Sequence, residues 1–296
     1  MTTKTPEAVT IPQRLREQQK VIRPEYMRFP VLNRVLHVLM IISFMSLALT
    51  GMTLKFAYTG WAVTLAHLLG GFESAGYIHR VAAVLMVGLF LTHLGDLVRK
   101  KRTLYGSWKA MLTGPDSMLF NRKDWRDLVG NIRWFLGKGP RPHYGRWTYW
   151  EKFDYFAVFW GVLVIGSTGL MLWFSEFFTL FLPGWLLNVA TIIHSDEALL
   201  ATGFIFTVHF FNTHLRPEKF PMDIVVFTGR MTLEELRRDK PAEFEQMIQS
   251  GEIEKYLVEP YPRIVIRSIR IHAWIALAVG FSIIVWILYA MLFAYR

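Results

Sequence analysis

The chain has 296 residues, 53% of them hydrophobic and 15% aromatic, with a mean hydropathy of +0.29 and no cysteine. The missing thiols exclude iron–sulfur clusters, thiolate zinc, covalently attached c-type haem and disulfides in one step. The net charge of +10 would suggest nucleic acid in a soluble protein, but its placement excludes that reading. Of 33 Lys and Arg residues, 7 lie in 1–34, 13 in 99–152 and 10 in 216–270, leaving Lys55, Arg80 and Arg296. Positive residues gather on the cytoplasmic side of membrane proteins.

Residues 1–30 are polar and basic and lack the apolar core of a cleavable leader, so they read as a cytoplasmic N-terminal segment. Runs without Asp, Glu, Lys or Arg cover 35–54, 155–175, 198–215 and 271–295. Each approaches the roughly 20 apolar residues that a helix needs to cross a bilayer. Five spans are predicted, at about 33–56, 76–98, 153–175, 190–215 and 269–294. The second has Arg80 near one end, Asp96 near the other and an uncharged centre at 81–95. Between the second and third, 99–152 is basic and rich in Trp, Gly and Pro, and reads as a docked cytoplasmic loop with short helices. The uncharged stretch 177–195 is interrupted by Pro183-Gly184. A crossing there would export the basic residues of 216–270, so it reads as an interfacial hairpin connection. Residues 231–265 read as cytoplasmic amphipathic helices, with a capping box at Thr232 and Glu235, and 266–296 as the fifth span. The expected class is an all-α membrane protein: a four-helix bundle over 31–230 plus a fifth transmembrane helix, N-terminus cytoplasmic and C-terminus outside.

Seven of nine histidines, His37, His79, His93, His194, His209, His214 and His272, fall within or at the ends of spans. Ionisable groups in the bilayer are costly and usually functional. His79 and His93 are 14 residues apart, an offset of about −40° and a rise of roughly 21 Å on an ideal helix. His194 and His209 are 15 apart, about +60° and roughly 22 Å. Both helices run outside to inside, so His79 is level with His194 and His93 with His209. Two facing imidazoles are the axial-ligand set of a b-type haem. Two ligands per rung are too few for zinc, which takes three or four protein ligands. Gly88 and Gly203 lie between the paired histidines, where a missing side chain admits a porphyrin; Gly51, Gly161, Gly166 and Gly169 offer the same. Haem propionates need cationic partners, for which Arg80 is the outer candidate and Arg34 and Arg216 the inner ones. His67 and His143 lie in loops and read as ordinary polar residues.

"NRVLHVLMIISFMSLALTG" resembles the first span of the cytochrome b subunits of membrane formate dehydrogenases and nickel–iron hydrogenases. "IHRVAAVLMVGLFLTHL", "YFAVFWGVLVIGSTGL" and "IIHSDEALLATGFIFTVHFFNTHL" resemble their second, third and fourth spans, over about residues 27–230. The resemblance implies a dihaem protein exchanging electrons between a quinone pool and a redox partner. It implies an outer haem between His79 and His194 and an inner one between His37 and His209, whereas depth along the helices favours His93 opposite His209. Both alternatives stand at this stage. So does a third haem, or a quinone pocket, at a shallow cytoplasmic group of His37, His214 and His272.

The expectation is thus an integral-membrane b-type cytochrome, with two or three haems b, in a bacterial cytoplasmic membrane. Its substrate would be quinone, menaquinone included, and Asp96, Asp196 and Glu197 are candidate proton carriers beside the histidines. With no cysteine of its own, it would need an iron–sulfur or multihaem cytochrome subunit at the outer face, by analogy with the family. The rival class is a haem-free proton-coupled transporter or a membrane scaffold subunit. A transporter usually has broken mid-membrane helices or repeated halves, and neither is evident in the sequence.

Overall fold

The computed structural model describes residues 24–220 and 222–294. Most of the N-terminal segment proposed over 1–30 therefore lies outside the described residues, as does Arg296. Five helices are long and apolar enough to cross a membrane: α1 (Val31–Lys55), α2 (Phe72–Tyr105), α3 (Tyr149–Trp173), α4 (Trp185–Leu215) and α5 (Arg263–Ala294). They coincide in order and place with the five expected spans. Three are longer than 30 residues. At about 1.5 Å per residue, the 34 residues of α2, the 31 of α4 and the 32 of α5 outreach a hydrocarbon core of roughly 30 Å.

The chain separates into two compact units. The larger gathers Val35–Ser107, Phe153–Asp223 and the chain from Arg267, and so contains nearly all of the five long helices. Large apolar side chains such as Val84, Leu163, Ile192 and Val285 stand exposed on these helices. That is the surface a lipid-facing bundle presents, since lipid provides no hydrophobic drive to bury them. Interhelical contact relies on close approach instead. A methyl group on Gly280 of α5 would lie 2.7 Å from ring atoms of both Phe206 and Phe210 of α4, so only glycine admits these rings. Trp286 of α5 also stacks on Trp61, 5.5 Å between ring centres. Trp61 belongs to a short helix, Gly60–Leu68, which also carries His67, so that histidine lies in a helix and not in a loop.

The stretch 177–195 is no crossing of its own. A short helix, Ser175–Thr179, precedes a turn, and α4 begins at Trp185, just past Pro183-Gly184. The far end of α4 widens into two π-helical turns, Ile205–His209 and Phe211–Leu215.

The smaller unit combines the described residues up to Arg34 with Trp108–Lys152 and Ile224–Ile266. It holds the short helices expected in 99–152 and 231–265, including the capping box in which Thr232 and Glu235 satisfy each other's backbone N–H. It also holds a small sheet that the sequence reading did not anticipate. Strand β1 (Glu25–Met27) pairs antiparallel with both β2 (Arg230–Thr232) and β3 (Leu257–Val258). Tyr26, Met231, Leu233, Leu236, Phe244 and Ile253 form its core. Gly229 takes a φ of +71° and turns the chain into β2; any Cβ there would lie 2.3 Å from the Phe29 carbonyl oxygen.

Beside this core lies a buried charge network. Glu243 accepts from Arg28 at 2.8 Å, Arg146 at 2.7 Å and the Tyr26 hydroxyl at 3.1 Å. Glu151 pairs with Lys240 and, at 3.5 Å, with Arg28. Burial is costly for an isolated charge and tolerable for a paired, hydrogen-bonded one. Desolvation holds the Lys240 ammonium down to about 8 despite Glu151, and pushes the Tyr26 phenol up to about 12.

Candidate functional site

Four long helices, α1, α2, α4 and α5, carry seven of the nine histidines, and their ring nitrogens are not equivalent. His79 of α2 and His194 of α4 face each other, ring centres 6.2 Å apart and planes at 74°. Each docks on a Thr-Gly dipeptide of a neighbouring helix. The Thr50 hydroxyl of α1 donates to the Ser46 carbonyl at 2.6 Å, which leaves its lone pair to accept from His79 Nδ1 at 2.9 Å. Against the same ring lies Gly51, where a methyl group would come within 3.2 Å of Cε1. On the other side, His194 Nδ1 donates to the Ile165 carbonyl of α3 at 2.9 Å, with Thr168 Oγ1 at 3.4 Å. A methyl group on Gly169 would lie 2.9 Å from His194 Cε1. A carbonyl can only accept, so the His194 proton sits on Nδ1 and the Nε2 lone pair is open. Among the described residues nothing hydrogen-bonds Nε2 of either ring.

His209, within the first π turn, follows the same pattern. Its Nδ1 meets Asp154 Oδ2 of α3 at 2.9 Å, while Asp154 Oδ1 is buried without a hydrogen-bond partner among the described residues. His37 of α1 has His209 and His214 as its electrostatic neighbours. His93 is committed elsewhere. Its Nε2 bonds the Tyr155 hydroxyl at 2.8 Å, and its ring abuts Tyr155 and Phe159 edge-on, 5.6 and 6.0 Å between centres. His272 is exposed and turns Nδ1 to its own helix, 2.8 Å from the Ser268 carbonyl.

The other sequence candidates have definite partners. Asp96 is held by Arg99 at 2.6 Å and Lys100 at 2.7 Å, and Asp196 by Lys55 at 2.9 Å. Glu197 accepts from Trp160 Nε1 at 3.4 Å. Arg34 donates to the Thr228 carbonyl at 2.9 Å and the Tyr261 hydroxyl at 3.0 Å. Arg80 lies over the faces of Tyr77 and Trp173, 5.8 and 5.7 Å from ring centres, and lines a groove of about 310 Å³ with Val81 and Val84. Gly88 and Gly203 have nothing within 4 Å of where a methyl group would stand, so the glycines that press on histidines are Gly51 and Gly169.

Sequence reasoning missed Thr50, Thr168, Asp154 and Tyr155. Two of them belong to the Thr-Gly dipeptides at 50–51 and 168–169, but Thr-Gly also stands at 59–60, 113–114, 202–203 and 228–229, so the dipeptide alone does not single them out. Among the described residues no group of three or more His, Asp or Glu could hold a metal ion. The side chains therefore offer pairs of imidazoles and no complete coordination sphere for a bare ion. No protein-family model and no curated protein matches this chain.

Proposed function

We propose that the chain is a dihaem b-type cytochrome subunit of a bacterial cytoplasmic-membrane electron-transfer complex, passing electrons between the quinone pool and a partner redox subunit. The observation that carries the proposal is the His79–His194 pair. Two imidazoles on one iron, at about 2 Å per metal–nitrogen bond and roughly 1.1 Å from nitrogen to ring centre, put the ring centres about 6.3 Å apart. The separation here is 6.2 Å. Both rings have Nδ1 engaged, the outer-sphere arrangement that metal-ligating histidines almost always have.

For the inner haem we assign His37 with His209. Asp154 orients His209 and increases the electron-donating power of its Nε2. The bond of His93 Nε2 to Tyr155 favours His37 over His93 in this assignment, and His214 and His272 are left without an assigned iron. A haem bound at either pair supplies one-electron redox chemistry at its iron. The quinone and the iron–sulfur or multihaem partner follow from the resemblance of the four spans, and the outward C-terminus from the distribution of basic residues.

A pyridine haemochrome spectrum of the purified chain tests this directly: two haems b per chain are expected. His79→Ala and His194→Ala lose the same haem, His37→Ala and His209→Ala the other, and His93→Phe keeps both. Absence of any b-type absorbance overturns the proposal, and loss of different haems from His79→Ala and His194→Ala overturns the pairing.

A further inference from the structure

One helix of the smaller unit is turned inside out for a soluble surface. Arg122–Phe135 begins with a capping box at Asn121 and Asp124 and buries a polar face. Asp124 is buried against Lys152 at 2.8 Å and Asp127 against Lys123 at 2.5 Å, while Asn131 donates to the Tyr149 hydroxyl at 2.9 Å. The apolar residues face outward: Trp125 is 68% exposed, Ile132 52%, Phe135 72%, and Leu136, just past the helix end, 63%. At 100° per residue these four, with half-buried Leu128 and Val129, fill an uninterrupted arc of about 120°. Arg122, Arg133 and Arg126 follow within about a further 60° on one side of it, and none has an acidic partner among the described residues. Arg122, Trp125 and Arg126 line an open hollow of about 620 Å³. The two acids of the helix are thus spent inward, and what faces out is an apolar strip with an unbalanced cationic border.

We infer that this helix is a membrane-interface element that seats its Trp125–Ile132–Phe135–Leu136 face in the acyl boundary and its three arginines among anionic phospholipid headgroups. Large aromatic and aliphatic groups on one face and Arg or Lys along the border characterise helices that lie in the plane of a bilayer, sunk about 5–10 Å. Charge decides between lipid and a protein partner, because the cytoplasmic leaflet is anionic and attracts clustered basic residues. This inference is independent of the haem assignment.

The absence of native cysteine makes the test clean. Single Ile132→Cys and Phe135→Cys variants of the full chain, spin-labelled and reconstituted in phosphatidylglycerol–phosphatidylcholine vesicles, are compared with Gln249→Cys, an exposed position on another helix of the unit. Expected is high accessibility to dissolved oxygen and low accessibility to a water-soluble nickel chelate at 132 and 135, with the reverse at 249. Replacing Arg122, Arg126 and Arg133 by Gln moves the label at 132 toward water, as does reconstitution in phosphatidylcholine alone. Nickel accessibility at 132 equal to that at 249 overturns the inference. So does an immobilised label reached by neither collider, which indicates that protein covers the face.

Discussion

Gly169→Ala is the sharpest probe of the outer histidine pair. The added methyl group would stand 2.9 Å from His194 Cε1 and 3.2 Å from Nδ1. An ordinary carbon–carbon contact is about 3.5–4.0 Å, so the ring must retreat by at least about 0.6 Å. Nδ1 is 2.9 Å from the Ile165 carbonyl, and the retreat takes it to about 3.5 Å, beyond normal hydrogen-bond length. Overpacking costs about 1–3 kcal/mol, and the lost hydrogen bond about 0.5–1.5 kcal/mol more. At about 1.4 kcal/mol per factor of ten, a ligand held by this ring is weakened on the order of 10- to 1,000-fold. Haem per chain after detergent washing, read by pyridine haemochrome, should fall toward one. Gly51→Ala, with a contact of 3.2 Å, should have the same effect more weakly, and Gly60→Ala, on the short helix and with nothing within 4 Å, should have none. Full haem content and an unchanged spectrum in Gly169→Ala would refute the reasoning, as would an equal loss in Gly60→Ala.

Asp154→Asn replaces a charge-assisted hydrogen bond on His209 by a neutral one and loses about 1 kcal/mol of electron donation toward the ligand nitrogen. The midpoint potential of one haem should rise by roughly 40 mV, from about 59 mV per factor of ten for one electron, in a spectroelectrochemical titration; identical potentials would remove His209 from the ligand set. Glu243→Ala strips Arg28, Arg146 and the Tyr26 hydroxyl of one shared acceptor, and breaking a buried pair typically costs about 3–5 kcal/mol. Amide exchange in β1 should accelerate accordingly, while exchange in Glu234→Ala, an exposed site nearby, stays as it is. The smaller unit should also become more stable from pH 8 to about 10. Folded Lys240 gives up its proton near 8 and unfolded lysine near 10.5, so the unfolded state binds more protons over that window and stability rises by on the order of 3 kcal/mol. Tyr26 acts in the opposite sense above pH 10, keeping its proton to about 12 in the folded chain, so stability declines there. Unfolding midpoints across pH 7–12 test both limbs, and Lys240→Met should flatten only the first.

The five long apolar helices were legible because the requirement for about 20 uncharged residues operates along the chain and needs no knowledge of neighbours. The histidine pair His79 and His194 was legible for a similar reason, since both positions are read from depth along their own helices. The rotational offset along α4 was not legible, because the arithmetic took an α-helix throughout. Between His194 and His209 the last five steps are π-helical, at about 85° per residue rather than 100°. That turns the expected offset of about +60° into about −15°, so His209 lies nearly in line with His194. His93 was ranked by helical face and depth, neither of which reveals that its Nε2 bonds the Tyr155 hydroxyl. The sheet was illegible for another reason: β1 is three residues long, its partners are more than 200 positions away, and no alternation can be recognised over so short a run.

The two widened turns of α4 have a consequence for how this stretch tolerates change. Five π steps at about 85° turn the chain through about 425°, and four α-helical steps at about 100° through about 400°. Deleting one residue from either widened turn and letting it rewind to the α-helix would therefore rotate what lies beyond by only about 25°. Each widened turn thus holds one residue more than an α-helical path in nearly the same direction, and the chain between Phe204 and Arg216 is built to absorb a single-residue change in length while keeping the aim of the imidazoles beyond it.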